Sequence, residues 1–239
     1  MNIKIENHYW FPIEDIISNI EFFCKQHNFK NILEIGPGTQ PFSLANNTIG
    51  CNEKINDYIE LDIDVSLLPY TDKSIDFVYS RHTLEDIQNP DFVMREILRI
   101  SNSGYIETPS PLIEITKGVD VHPHSDKFGG YIHHRYIIWS DIEKCEIYFL
   151  PKYSCIIDNY IDQNTLDKQL IEQLIKNKIY WNNYFIWENK IPKIIMYKNG
   201  VNIGGLNRKF VEDYMNILSQ AVNTSILNTN YFIKNYITN

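Results

Sequence analysis

Apolar residues recur at helical spacing near the start of the chain. Ile13, Ile16, Ile17, Ile20 and Cys24 share one face, and Glu14, Asp15, Glu21 and Lys25 fill the other. This predicts an amphipathic helix opened by Pro12. The run Asn31-Ile32-Leu33-Glu34-Ile35 predicts a short buried strand that stops at Gly36-Pro37-Gly38-Thr39-Gln40-Pro41. A second strand is expected over Tyr58–Val65, where Glu60, Asp62 and Asp64 alternate with apolar positions, and a third over Ile75–Ser80. Phe92, Val93, Ile97 and Ile100 predict a helix over Pro90–Ile100, stopped by Ser101-Asn102-Ser103-Gly104, and Tyr105–Thr108 reads as the next strand. Strands alternating with helices on short connections indicate an α/β fold, a doubly wound and mostly parallel sheet. Ligands of such sheets gather at the carboxyl ends of the strands.

Beyond Pro109 the pattern loosens. Residues 110–134 read as a loop that holds His122, His124, His133 and His134. Arg135–Ser140 and Cys145–Leu150 alternate around Asp141–Lys144, a late antiparallel hairpin of the kind that closes an edge of a parallel sheet. A helix is expected over Asn164–Lys178, a strand-like stretch over Tyr184–Tyr197 and a last helix over Lys209–Val222. No repeat or low-complexity linker interrupts the chain. The expected organisation is a ligand-binding core at 1–150 and a C-terminal extension at 151–239 packed on it.

Composition narrows the function classes. A length of 239 residues with 44% hydrophobic residues suits a compact protein with a sizeable core, and the net charge of -8 disfavours phosphate backbones and anionic membranes. Neither nucleic acid nor membrane is therefore expected as a partner. The four cysteines form no C-x-x-C pair, no apolar run approaches the ~20 residues of a bilayer span, and Met1–Trp10 lacks the apolar stretch of a signal peptide. A reducing, cytoplasmic location is the expectation. The aromatic cluster Tyr180–Trp187 suits stacking on a sugar or aromatic acceptor, and more often such clusters are core or homodimer interface.

The glycine turn carries the first chemistry. A strand, a glycine turn and a helix serve both dinucleotides and S-adenosylmethionine. The dinucleotide fingerprint G-x-G-x-x-G/A fits Gly36 and Gly38, but its third position is Pro41. Glu34 beside the turn would repel a pyrophosphate, whereas the methionine end of the sulfonium cofactor carries an ammonium group. Charge favours S-adenosylmethionine.

The segment Leu68-Pro69-Tyr70-Thr71-Asp72-Lys73-Ser74-Ile75-Asp76-Phe77-Val78 resembles the "LPF-x-D-x-S-F-D-x-V" stretch of class I S-adenosylmethionine-dependent methyltransferases, type 11-like. Ser80-Arg81-His82-Thr83-Leu84-Glu85-Asp86-Ile87-Gln88-Asn89-Pro90 is similar to the family's "S-x-x-x-L-E-H-x-x-x-P", with Asp86 where His is commoner, and Met94–Ile100 to its "E-I-x-R-V-L" helix. The resemblance spans roughly 30–110. It implies a cofactor site formed by Glu34, Gly36, Pro37, Gly38, Asp62, Asp64 and Ser80. Asp64 would meet the adenine amine and Asp62 the ribose, although Glu53 has the usual ribose spacing. The missing third glycine implies a late or short first helix.

A narrower similarity, Gly104 to Pro111 followed by His134-Arg135 and a hairpin, points to a subgroup associated with glycan and natural-product acceptors. The expected activity is methyl transfer to a small-molecule or glycan hydroxyl or amine. The alternatives are a non-catalytic methyltransferase-like subunit and an NAD-type oxidoreductase. His82, at the ligand-bearing edge, and His134, in the histidine loop, are the candidate proton acceptors. No metal is assigned, because no two loop histidines stand at i, i+4 and proximity in a loop does not bring ligands together.

Overall fold

The computed structural model describes residues 13–38, 40–50, 58–160, 176–197 and 208–237. The described residues open with α1 (Glu14–Gln26), whose Ile16, Ile20 and Cys24 are buried as the helical spacing requires. Then come β1 (Ile32–Ile35), β2 (Asn47–Gly50), β3 (Tyr58–Glu60), β4 (Phe77–Arg81), α2 (Pro90–Ile100) and β5 (Gly104–Pro109). A one-turn helix, α3 (Pro111–Ile115), leads through the histidine loop to β6 (Tyr136–Asp141) and β7 (Glu146–Pro151). The rest comprises α4 (Ser154–Tyr160), β8 (Asn182–Trp187), β9 (Lys193–Met196) and the long α5 (Arg208–Phe232).

Among the described residues, six strands form the central sheet in the order β3-β2-β1-β4-β5-β8. The first five are parallel, and β8 runs antiparallel against β5. This is the expected α/β architecture, with two corrections to its parts. The predicted hairpin is real, but it does not close the central sheet. β6 and β7 pair with each other and with β9 in a separate three-stranded sheet, and β8 takes the closing position. Alternation in a sequence reports a half-buried strand and not which sheet receives it.

The second correction concerns strand count. Tyr58–Glu60 is the third strand, because Asn47–Gly50 precedes it as β2. Asp62 therefore follows the edge strand. Glu53, the other ribose candidate, lies outside the described residues, as does most of the helix expected over Asn164–Lys178.

Between β1 and β2 no helix occurs among the described residues. The turn at Gly36 runs through Pro41 directly into a compact loop. Phe42 fills the space by stacking on Tyr79, with ring centroids 4.0 Å apart and planes within 7°. The Phe42 N–H donates to Glu34 Oε2 at 2.8 Å, so the strand-end carboxylate pins the loop.

A boundary at residue 150 does not divide this fold, since β8 completes the central sheet and β9 the second one. α5 lies against both. Its Asn228 accepts the Ile142 N–H at 2.9 Å and donates to Tyr184 O at 2.7 Å and Ser140 Oγ at 3.1 Å. No described helix is long and apolar enough to cross a membrane. Among the described residues, Cys24, Cys145 and Cys155 are free thiols.

Candidate active site

The carboxyl ends of β1 to β4 open into one cavity of about 600 Å³. Gly36 adopts φ +71° and Gly38 φ +56°, the left-handed region that favours glycine. The two glycines have different work. A Cβ on Gly36 would stand 2.1 Å from Thr83 Oγ1, so Gly36 lets the turn after β4 pack against the turn after β1. A Cβ on Gly38 would meet nothing within 4 Å. Gly38 leaves space open where a ligand can approach the backbone.

Of the residues expected to hold the cofactor, Glu34, Gly36, Pro37, Gly38, Asp62 and Asp64 line this cavity. Ser80 does not. It is buried, and its hydroxyl donates to Ile35 O at 3.0 Å, locking β4 to β1. Asp64 reaches the wall, but its carboxylate accepts the N–H groups of Gln88 at 3.1 Å and Asn89 at 2.7 Å. It thereby caps the approach to α2, whose N-cap residue Asn89 makes no side-chain cap of its own. Asp62 accepts the Asp64 N–H at 3.1 Å and lies on the cavity wall.

His82 also lines the cavity, in a left-handed conformation at φ +48°. Its Nδ1 is 3.5 Å from Glu85 Oε1 and its Nε2 is 3.3 Å from Glu107 Oε1. Burial opposes the charged ring, but the pull of Glu107 and Glu85 outweighs it and holds the pKa above the ordinary histidine value. Glu107 is fully enclosed, with Arg81 Nη2 at 3.0 Å, Asn182 Nδ2 at 2.8 Å and the Tyr105 hydroxyl at 2.6 Å. Burial would raise its pKa, yet Arg81 and His82 hold it well below the usual carboxylate range. His82 is thus a proton holder in a buried charge network, which suits positioning better than proton abstraction.

The histidine loop divides. His133 and His134 line the cavity with Asp120, Val121 and Tyr131, whereas His122 and His124 do not. His134 Nδ1 lies 2.6 Å from Glu114 Oε1, and Lys152 Nζ lies 2.6 Å from Glu114 Oε2. Burial disfavours the Glu114 carboxylate, but Lys152 and His134 bring its pKa down to about 2. Gly129-Gly130 makes this closeness feasible, because a Cβ on Gly130 would come within 2.5 Å of Glu114 Oε2. Asp86 completes the wall, 3.9 Å from His133 Nε2 through its Oδ1. Sequence reasoning missed Glu114 and Lys152, and met Asp86 only as a departure from the family's motif. The one signal was a lone acid inside the apolar run Pro111-Leu112-Ile113-Glu114-Ile115, every residue of which is buried.

Residues 24–106 match the family model described as a methyltransferase domain. No curated protein matches the chain. Solved structures similar to it include an S-adenosylmethionine-dependent methyltransferase from Mesorhizobium loti, at 19% identity and TM-score 0.29, covering 36% of this chain and 49% of that one. Another is a methyltransferase from Aquifex aeolicus, at 14% identity and TM-score 0.30, covering 41% and 66%. The plantazolicin methyltransferase BpumL, solved with S-adenosylhomocysteine, aligns at 18% identity and TM-score 0.37, covering 47% and 53%. The chain thus spans about half to two thirds of the length of these structures. Over residues 24–106, where the glycine turn, β4 and α2 build the cavity wall, the chain is similar to a methyltransferase domain.

Proposed function

We propose that this protein transfers a methyl group from S-adenosylmethionine to a hydroxyl or amine of a small-molecule or glycan acceptor. The observation that carries this reading is that one cavity is lined both by the glycine turn with Asp62 and by Asp86, His133 and His134. Its volume of about 600 Å³ lies in the ordinary range for a small-molecule site.

The residues fit the cofactor. The open space at Gly38 admits an amino-acid end close to backbone N–H groups, and Asp62 offers acceptor oxygens for ribose hydroxyls. Bound there, S-adenosylmethionine supplies an electrophilic methyl carbon on a sulfonium. Glu34 acts partly through the loop it pins, and Asp64 through the start of α2. On the acceptor side, His134 braced by Glu114 is the group placed to meet the acceptor's heteroatom. Val121 and Tyr131 offer apolar contact and help exclude water. Methyl transfer is an in-line displacement, and positioning of this kind contributes most of what the protein can add.

Calorimetry with S-adenosylhomocysteine and with NAD tests the reading. Binding of the first alone is expected, followed by turnover in a library of hydroxyl and amine acceptors supplied with the methyl donor. NAD binding in its place overturns the proposal in favour of an oxidoreductase. Binding of neither, or binding without turnover on any acceptor, favours a non-catalytic subunit.

A further inference from the structure

Asp86 comes from the turn after β4, and His133 and His134 from the residues before β6. The fold brings one ligand atom from each within 4.8 Å of the other two. All three residues line the cavity. His134 is fixed from behind, with Glu114 Oε1 2.6 Å from Nδ1 and Glu114 itself held by Lys152. A carboxylate behind one ring nitrogen fixes the ring's orientation, the arrangement that orients metal-ligating histidines.

We propose that Asp86, His133 and His134 bind one divalent transition-metal ion of the zinc class, with an open coordination position facing the cavity. The 3.9 Å between His133 Nε2 and Asp86 Oδ1 is too long for a hydrogen bond. It is close to the ~3.3 Å that separates ligands around a tetrahedral ion at Zn–N of about 2.0–2.1 Å. The side chains of His133 and Asp86 are 60% and 45% exposed, so both can turn inward by the small remainder while His134 stays fixed. Two imidazoles and one carboxylate suit zinc, cobalt or iron, whereas magnesium and calcium prefer an all-oxygen shell. Three protein ligands leave a position for a substrate atom, as open zinc sites do.

The ion's role rests on the methyl-transfer reading, although its binding does not. An acceptor hydroxyl on the open position would become more acidic and lose its proton to solvent. His134 would then serve as a ligand instead of taking the proton itself.

The test uses the full chain, stripped with a chelator and titrated with Co²⁺. Saturation at one equivalent with visible d–d absorption is expected, with the colour lost on adding Zn²⁺. His133→Ala and Asp86→Asn, both at exposed side chains, should each weaken Co²⁺ binding at least about 10-fold while thermal unfolding confirms that they fold. Glu114→Gln should weaken it about 10–100-fold by loosening the brace. Absence of a one-equivalent site in the wild type, or wild-type affinity in both His133→Ala and Asp86→Asn, overturns the proposal. S-adenosylhomocysteine binding to the same metal-free protein separates the two readings. Co²⁺ binding without it sinks methyl transfer and leaves the ion site standing, and the reverse sinks the ion site alone.

Discussion

His82 Nε2 stands 3.3 Å from Glu107 Oε1, on a ring whose other nitrogen faces Glu85. Removing the ring leaves two buried carboxylates without that partner, which typically costs about 3–5 kcal/mol. His82→Ala is therefore expected to lower the unfolding free energy strongly. The effect has a pH signature. The raised pKa of His82 contributes stability below its unfolded value of 6.5, lost as pH rises through the folded value. The lowered pKa of Glu107 contributes above its unfolded value of 4.5, lost as pH falls. Denaturant unfolding should show the widest gap between wild type and variant from about pH 4.5 to 6.5. Unchanged stability with slow turnover would restore a proton-abstracting role for His82.

The two turn glycines should separate binding from folding. Gly38→Val places its side chain in open space at the cavity, at the expense of about 1–2 kcal/mol for a left-handed non-glycine residue. We expect S-adenosylhomocysteine affinity to fall more than about 10-fold in a protein that still folds. Gly36→Ala drives a methyl against Thr83 and should lower the melting temperature more than Gly38→Val does. Calorimetry and thermal melts on the pair decide it.

Asp62 and Asp64 are expected to part ways. Asp62→Ala should cost about 1–3 kcal/mol of S-adenosylhomocysteine binding with little change in stability. Asp64→Ala removes the carboxylate that caps α2 through Asn89 and should cost about 0.5–2 kcal/mol of folding. A silent Asp62→Ala beside a damaging Glu53→Ala would move the ribose contact to Glu53.

Asp86 gives a stability change of opposite sign. Partial desolvation of this half-exposed side chain, then the nearby Glu85 charge, push its pKa from 3.8 up to about 6. An acid whose folded pKa is raised loses stability as pH rises between those values. The metal-free Asp86→Asn variant should therefore be more stable than wild type above about pH 6 and indistinguishable below about pH 4. Equal stability across that range would show that the carboxylate is not strained by its surroundings.

Much of the central sheet was legible because its strands declare themselves locally. Ile32–Ile35 and Phe77–Arg81 are buried runs bounded by turn residues, and α2 shows helical periodicity over Pro90–Ile100. β2 was not legible. Asn47-Thr48-Ile49-Gly50 has a single large apolar residue and is a strand because β1 and β3 flank it. The glycine turn was readable from residue types at fixed spacing, whereas Asp62 and Asp64, which line the same cavity, came from the family resemblance and not from spacing, which pointed to Glu53. The acceptor wall was not. Glu114, His134 and Lys152 meet only after α3, the Gly129-Gly130 turn and β7 have packed, and no local spacing encodes that meeting. Ser80 shows the converse limit, since its motif position could not tell a cavity-facing hydroxyl from one turned onto a neighbouring strand.

The side chain of Asn228 joins α5 to the end of β6 and to β8 at once. Detaching that helix strands a buried amide and carbonyl in two different sheets, so neither sheet can open cheaply by itself. Local fluctuations are thereby merged into one cooperative event. Slow hydrogen exchange should rise and fall together in β6 and β8, two strands that share no ladder, and a protease that nicks α5 should release the hairpin sheet and the edge of the central sheet in the same step.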